Sequence, residues 1–359
     1  MSSTTTCTVT STTLPAWPTQ NAFTQHKVSR PRPEKEAPKD RFEHLPPYRR
    51  PTEGVVGYLP DALVPYAELM RLHKPSGYYA FHYPLVFGLL YGAIIARPGF
   101  SQLVLNYAAL AVLNLFVRGA ACTYNDTLDA PLDREVARCR HRPIARGALS
   151  TTAGHVFTAV QSSICLWLIL ATLPASCLLP SALFVATMAL YPFCKRFTNY
   201  PQVVLGFSLA LGQLIGAGSV GLDLIEIRSR QTVLGITFLY LSNVVNTIIY
   251  DTVYAHQDLQ DDLKAGVHGM AVAVQGYAKL ILSGFSVVEI MLLSAAGYCL
   301  DLSPGYFIVG VGGTAAYLAI MLSTVRLDVP KDCMKWFSQA LHLSGMSLAG
   351  GLMLSYLGV

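Results

Sequence analysis

Charge is scarce in this sequence. Of its 359 residues only 13% are Asp, Glu, Lys or Arg, while 52% are hydrophobic. A soluble domain carries roughly 25% charged residues. The shortage excludes an ordinary soluble globular protein and points to a chain that crosses a bilayer several times. Paired cysteines are missing as well. The eight cysteines (Cys7, Cys122, Cys139, Cys165, Cys177, Cys194, Cys299 and Cys333) include no CxxC pair. Most lie in or beside apolar stretches, which speaks for buried thiols and against a zinc site or a disulfide framework. The first 26 residues hold no Lys, Arg, Asp or Glu. They contain neither the apolar core of a secretory signal nor the early Arg-rich pattern of a mitochondrial presequence. The net charge of +5 sits in the tail and loops, where membrane topology accounts for it, so no nucleic-acid partner is indicated.

What is present divides at about residue 60. Residues 1–60 are rich in Ser, Thr and Pro and then basic, which reads as a disordered cytosolic tail. Residues 61–359 read as one transmembrane domain. Residues 66–76 read as a short interfacial helix that stops at Pro75, with apolar Leu69, Met70 and Leu72 alternating with Arg71 and Lys74, which suits a membrane surface. Nine apolar spans follow, at about 77–96, 102–122, 153–173, 177–193, 203–221, 231–250, 276–298, 304–325 and 338–357, each near the roughly 20 residues that cross a bilayer. The expected fold is therefore all-α: a polytopic nine-transmembrane-helix bundle. The loops after the even-numbered spans, with Lys279, hold twelve Lys and Arg, and the opposite loops hold three. The richer side is cytoplasmic by the positive-inside rule.

Two acidic stretches lie on that side. The first carries Asn125, Asp126, Asp129 and Asp133. Asn125, Asp129 and Asp133 are four residues apart, so a helix presents them on one face. With no lysine between them they call for a cation, and oxygen-only ligands favour Mg²⁺. The second carries Asp251, Tyr254, Asp258 and Asp262, with Asp258 and Asp262 again on one helical face. Two such faces at one membrane surface suit a diphosphate gripped through Mg²⁺; ordinary polar loops between spans are the plainer alternative. The loop after the first stretch is basic, and Arg134 and Arg142 are its candidate diphosphate contacts. Lys195 after span four either touches phosphate or anchors the loop at the membrane. Arg118 either lines the site or snorkels to the interface. Tyr124, Asp251 and Tyr254 are candidates for the acceptor or for stabilising a carbocation, with an interfacial aromatic belt as the alternative for the tyrosines. His256 is a candidate acceptor contact or a surface histidine. Gly216–Gly221 spells GxGxxG inside an apolar span, where small residues let helices approach closely.

These residues carry a resemblance. The first stretch is similar to the NDxxDxxxD motif of the UbiA family of intramembrane prenyltransferases, and Tyr254, Ala255, Asp258 and Asp262 are similar to its YAxxDxxxD motif. Arg71, Leu72, Pro75 and Gly77 resemble its RLxxPxG segment. Arg138, Arg142 and Pro143 resemble its DRxxxRTxxRP segment, with Cys139 in place of threonine. Tyr191, Pro192, Lys195, Arg196 and Thr198 resemble its YPxxKRxT segment. The match runs over roughly residues 65–359. It implies a helical bundle with a central cavity near the cytoplasmic face and a Mg²⁺-dependent transfer of a prenyl group from its diphosphate to an aromatic ring. Asp129, Asp133, Asp258 and Asp262 are then the catalytic carboxylates, and Asn125 and Asp126 complete the metal ligands. The motif flanks resemble the 4-hydroxybenzoate polyprenyltransferase branch and its fungal meroterpenoid relatives; with no mitochondrial or plastid presequence pattern, the resemblance implies a farnesyl donor and a phenolic polyketide acceptor in fungal meroterpenoid synthesis, on an endoplasmic reticulum or other endomembrane. The alternatives are the 4-hydroxybenzoate polyprenyltransferase of ubiquinone synthesis, in the mitochondrial inner membrane, and, in a different class, an ion-coupled transporter.

Overall fold

Backbone groups inside a bilayer must find their hydrogen bonds within the segment, which favours helices. The computed structural model describes residues 45–194 and 196–359, and every regular element among them is helical. Residues 1–44 and Lys195 lie outside the described residues, so the expectations for most of the tail and for Lys195 do too. Two short helices, α1 (Gly54–Gly57) and α2 (Val64–Leu69), precede the spans. Then come α3 (Ser76–Ala96), α4 (Phe100–Asp133), α5 (Thr151–Thr172), α6 (Leu178–Cys194), α7 (Pro201–Ser219) and α8 (Arg230–Ala255). The chain continues through α9 (Leu259–Ala265), α10 (Met270–Val274), α11 (Ala278–Cys299) and α12 (Gly312–Thr324). It ends with α13 (Pro330–Gln339) and α14 (Gly345–Leu357), joined by a π-helical turn. Among the described residues nine stretches are long and apolar enough to cross a membrane, in the positions expected.

Local chemistry sets several helix starts. The Ser150 hydroxyl caps α5 by accepting from Ala153 N, and Ser229 caps α8 by accepting from Thr232 N. Such caps satisfy amides that the first turn leaves open. Pro201 and Pro330 open α7 and α13, where their missing N–H costs nothing. In the centre, α3 and α7 meet backbone to backbone. A Cβ on Gly88 would lie 1.8 Å from the Gln213 carbonyl oxygen, and one on Gly216 2.0 Å from that of Leu85. Gly216 thus works as a close-approach residue. On α5, Leu166, Trp167 and Leu170 remain exposed, as a lipid-facing surface requires.

Three local expectations change. The helix over 66–76 ends at Leu69, because Arg71 turns into the left-handed region at φ 59°. Leu69, expected at a membrane surface, is fully buried against Ala130 and Ile144. The segment packs on α4 and the loop after it through Leu69. Second, the acidic stretch at 251–262 is not one helix: α8 stops at Ala255, and Asp258 stands at the start of α9. Third, residues 45–60 join the folded unit, which begins at Leu45, and Val56 packs against Val64 and Ala67.

Candidate active site

The 34 residues of α4 rise about 50 Å at 1.5 Å each, well beyond a ~30 Å hydrocarbon core. The last turns of α4 therefore emerge from the apolar layer, and they carry Asn125, Asp126, Asp129 and Asp133. The three aspartates are buried. Two arginines from elsewhere meet them. Asp126 Oδ1 accepts from Arg71 Nη2 at 2.7 Å and lies 3.0 Å from Arg142 Nη1. Arg142 Nη1 also donates to both oxygens of Asp133 at 2.9 Å. Across the cavity, Arg138 grips Asp258, Nε to Oδ1 at 2.9 Å and Nη2 to Oδ2 at 2.5 Å, and its Nη1 donates to the Tyr254 hydroxyl at 2.9 Å. Asp261 accepts from the Ala137 amide. The basic loop after α4 thus bridges the two acidic segments.

Electrostatics follow from that packing. Burial alone would lower the Arg142 pKa, but Asp126 and then Cys139 and Asp133 drive it well above its usual value. Burial likewise opposes Arg138, which Tyr254, Cys139 and Asp258 raise well above its usual value. Lys74 moves the other way. Burial first, then Arg71, Arg138 and Arg142, lower it to about 8.

Both acidic segments line one cavity of about 330 Å³. Asn125, Asp126, Asp129, Asp133, Arg142, Asp251, Tyr254, Asp258 and Asp262 all face it. Phe81, Met188, Leu205, Leu209 and Phe337 line it as well. The cavity thus combines charged and apolar lining, the two characters a prenyl diphosphate itself has. Tyr250 and Tyr254 stand with Phe337 between them, ring centroids 5.7 and 4.4 Å away.

Some expected residues sit elsewhere. Arg134 spends its Nε on the Ala145 carbonyl at 3.0 Å and, like Tyr124, is not among the residues lining the cavity. Arg118 lines it but donates to the Arg71 and Lys74 carbonyls at 3.2 and 2.7 Å, holding the turn that presents Arg71. His256 is no surface histidine. It is buried against the Thr252 carbonyl, and burial lowers its pKa. Conversely, Arg71 and Arg138, which the sequence marks only by motif position, and Lys74, expected at a membrane surface, all line the cavity. The pairing of Arg71 with Asp126 spans 55 residues, beyond the reach of any local pattern.

The oxygen donors suit a hard cation shared with phosphate. Among the described residues no three His, Cys, Asp or Glu side chains converge as a metal cluster on their own. Asn125 Oδ1 and Asp126 Oδ2, however, are buried with no hydrogen-bond partner. Mg²⁺ commonly binds through one or two carboxylates plus substrate phosphates and not through an all-protein cage.

Comparison with known proteins gives the family and the fold. The family model of the UbiA prenyltransferase family matches residues 85–346. Prenyltransferase stbC of Stachybotrys bisbyi is 35% identical over 86% of this chain and 93% of its own. The mitochondrial 4-hydroxybenzoate polyprenyltransferase of Saccharomyces cerevisiae is 36% identical over 89% and 82%. The DMOA farnesyltransferase nvfB of Aspergillus novofumigatus is 33% identical over 84% and 94%. A UbiA homolog from Archaeoglobus fulgidus, solved bound to GPP and Mg²⁺, shares the fold with TM-score 0.61 at 18% identity, over 82% of this chain and all of that one. The chain belongs to the UbiA prenyltransferase family and is a multi-pass membrane prenyltransferase.

Proposed function

We propose that the protein moves a farnesyl group from farnesyl diphosphate to a phenolic polyketide, with Mg²⁺, in fungal meroterpenoid biosynthesis. The observation that carries the reading is one cavity lined by two acidic segments, four arginines, and apolar and aromatic side chains. Asn125, Asp126, Asp129 and Asp133 from one segment and Asp258 and Asp262 from the other are the residues that would hold the metal together with the diphosphate oxygens. When bound, Mg²⁺ neutralises charge on the diphosphate oxygens. Arg71, Arg138, Arg142 and Lys74 bind the same diphosphate, and Lys195, outside the described residues, is a further candidate. As the donor C–O bond breaks, these cations take up the charge on the leaving diphosphate. Tyr250, Tyr254 and Phe337 offer ring faces to the allylic cation, and the apolar wall keeps water from it. The acceptor ring attacks, a C–C bond forms, and the ring gives its proton to the released diphosphate as it regains aromaticity. Asp251, which lines the cavity, is the candidate to orient the acceptor.

The basic loops support a diphosphate end that faces the cytoplasm, and we assign the enzyme to the endoplasmic reticulum or another endomembrane. A second reading has one specific support. The mitochondrial 4-hydroxybenzoate polyprenyltransferase of yeast is as similar to this chain as stbC is, so 4-hydroxybenzoate is the competing acceptor and the mitochondrial inner membrane the competing site.

The test is a product assay in yeast microsomes with Mg²⁺. Geranyl, farnesyl and geranylgeranyl diphosphates are each paired with 4-hydroxybenzoate and a set of phenolic polyketide acids, and products are read by mass. A farnesylated polyketide is expected. Product from 4-hydroxybenzoate alone would move the enzyme to ubiquinone synthesis.

A further inference from the structure

A second, much smaller cavity of about 20 Å³ lies beside the catalytic one. Ala80 and Tyr250 line both. From there α3, α8 and the α13–α14 segment continue away from the acidic motifs, through Tyr83, Asn246 and Leu341. Each is three or four residues beyond a lining residue of the large cavity, about 5–6 Å along a helix. The small cavity thus adjoins the large one at Ala80 and Tyr250, and Ser242, Asn243, Asn246 and Glu289 are its polar lining.

Its polar groups are incompletely paired. Glu289 of α11 is 3% exposed, and its Oε1 accepts from Asn246 Nδ2 at 2.8 Å. Glu289 Oε2 and Asn243 Oδ1 are buried with no partner. A buried carboxyl with an open oxygen is costly, and an ionisable group within a span marks a functional site by default. The space admits one oxygen with its hydrogens, since a water needs about 10–15 Å³ by this measure. It cannot admit a ring or a phosphate. A hydroxyl suits the carboxyl in either protonation state. Ionised, Glu289 accepts the hydroxyl proton. Protonated, it donates to the hydroxyl oxygen while Asn243 Oδ1 accepts. Tyr79, Tyr83 and Phe87 flank the pocket, so a flat ring above Tyr250 would meet aromatic neighbours.

We infer that Glu289 and Asn243 seat a hydroxyl group of the aromatic acceptor, fixing which way the ring faces the donor. The inference rests on the phenolic-acceptor reading above. A bound water offers the same chemistry and is the rival occupant. Sites that hydrogen-bond a substrate hydroxyl reject analogues without it strongly, which gives the two occupants different consequences.

The test uses the full-length protein in detergent with Mg²⁺, farnesyl diphosphate and 2,4-dihydroxy-6-methylbenzoate or 4-hydroxybenzoate, each also offered as its O-methyl ethers in competition. In Glu289→Gln the new amide can donate to Asn243 and close the pocket at nearly constant volume. The acceptor KM should rise at least tenfold, the donor KM should stay within twofold, and the preference for phenol over ether should fall. Asn243→Ala should shift the same quantities should the glutamine variant fold poorly. Unchanged acceptor KM and unchanged phenol preference in a folded variant, with only the melting temperature altered, would assign the pocket to water and overturn the inference. A wild-type protein that prenylates no phenolic acid would overturn the parent reading, and this inference with it, before any variant is made.

Discussion

Arg142 touches Asp126 and Asp133 at once, and Arg138 holds Asp258 with two donors. Three of the carboxylates that the motifs supply for a metal, Asp126, Asp133 and Asp258, are thus each near a guanidinium that can turn to phosphate when the donor enters. Lys74 is the cation in this set whose charge depends on ordinary pH. Burial, with Arg71, Arg138 and Arg142 nearby, brings it to about 8. Its lowered value means that protonation is disfavoured in the folded chain, so stability from this group grows as pH rises from about 8 toward 10.5. Donor binding runs the other way, because the ammonium is lost over the same range. The donor KM should therefore rise between pH 7 and pH 9, and in Lys74→Arg, which stays charged, it should be flat. An equal rise in both proteins would remove Lys74 from the diphosphate site. At this scale the acidic residues were legible, because metal chemistry demands carboxylates at helical spacing. The cations were legible only in part. Arg134 and Arg142 belong to one basic run, and nothing local says that Arg142 turns inward while Arg134 closes its own loop on Ala145.

Among the elements, α4 was predictable and the α8–α9 junction was not. Spacing alone put Asn125, Asp129 and Asp133 on one helical face, and the helix runs unbroken to Asp133. At 251–262 the same spacing suggested a helix, but the backbone breaks after Ala255 so that Asp258 can meet Arg138 across 120 residues. The loop that brings Arg138 and Arg142 is itself anchored from outside. Arg146 pairs with buried Glu68 of α2 at 2.6 Å and lies 3.9 Å over the Tyr48 ring, and the Tyr48 hydroxyl donates to Glu68 at 3.0 Å. Arg140 donates to the Pro46 carbonyl. Removing one member of a buried pair costs about 3–5 kcal/mol. Arg146→Met should accordingly lower the melting temperature in detergent by several degrees and raise the donor KM. Adding Glu68→Gln should recover part of the stability, since no charge is then left buried. An unchanged melting curve for Arg146→Met would show that the loop is held by other contacts.

For the whole molecule, hydropathy located the nine spans, because the bilayer demands about 20 apolar residues of each. Their neighbours were not legible, since helix packing rests on close approaches such as Gly88 on Gln213 and Gly216 on Leu85. The acidic segments follow spans two and six, so an even number of crossings keeps them on one side, and the structure joins them at one end of the bundle. Glycosylation acceptor sites inserted singly should be modified in the 220–229 loop and unmodified in the 266–269 loop. The reverse pattern would turn the diphosphate end away from the cytoplasm. The account as a whole rests on the two acidic segments acting as one site. The most direct test is product formation from farnesyl diphosphate, with Mg²⁺ and the best acceptor, by Asp129→Ala and Asp258→Ala in membranes, with insertion and amount of protein verified. Both variants should lose turnover to below a hundredth of the wild-type rate while inserting normally. Near-normal turnover in either one would contradict a site shared between the two segments.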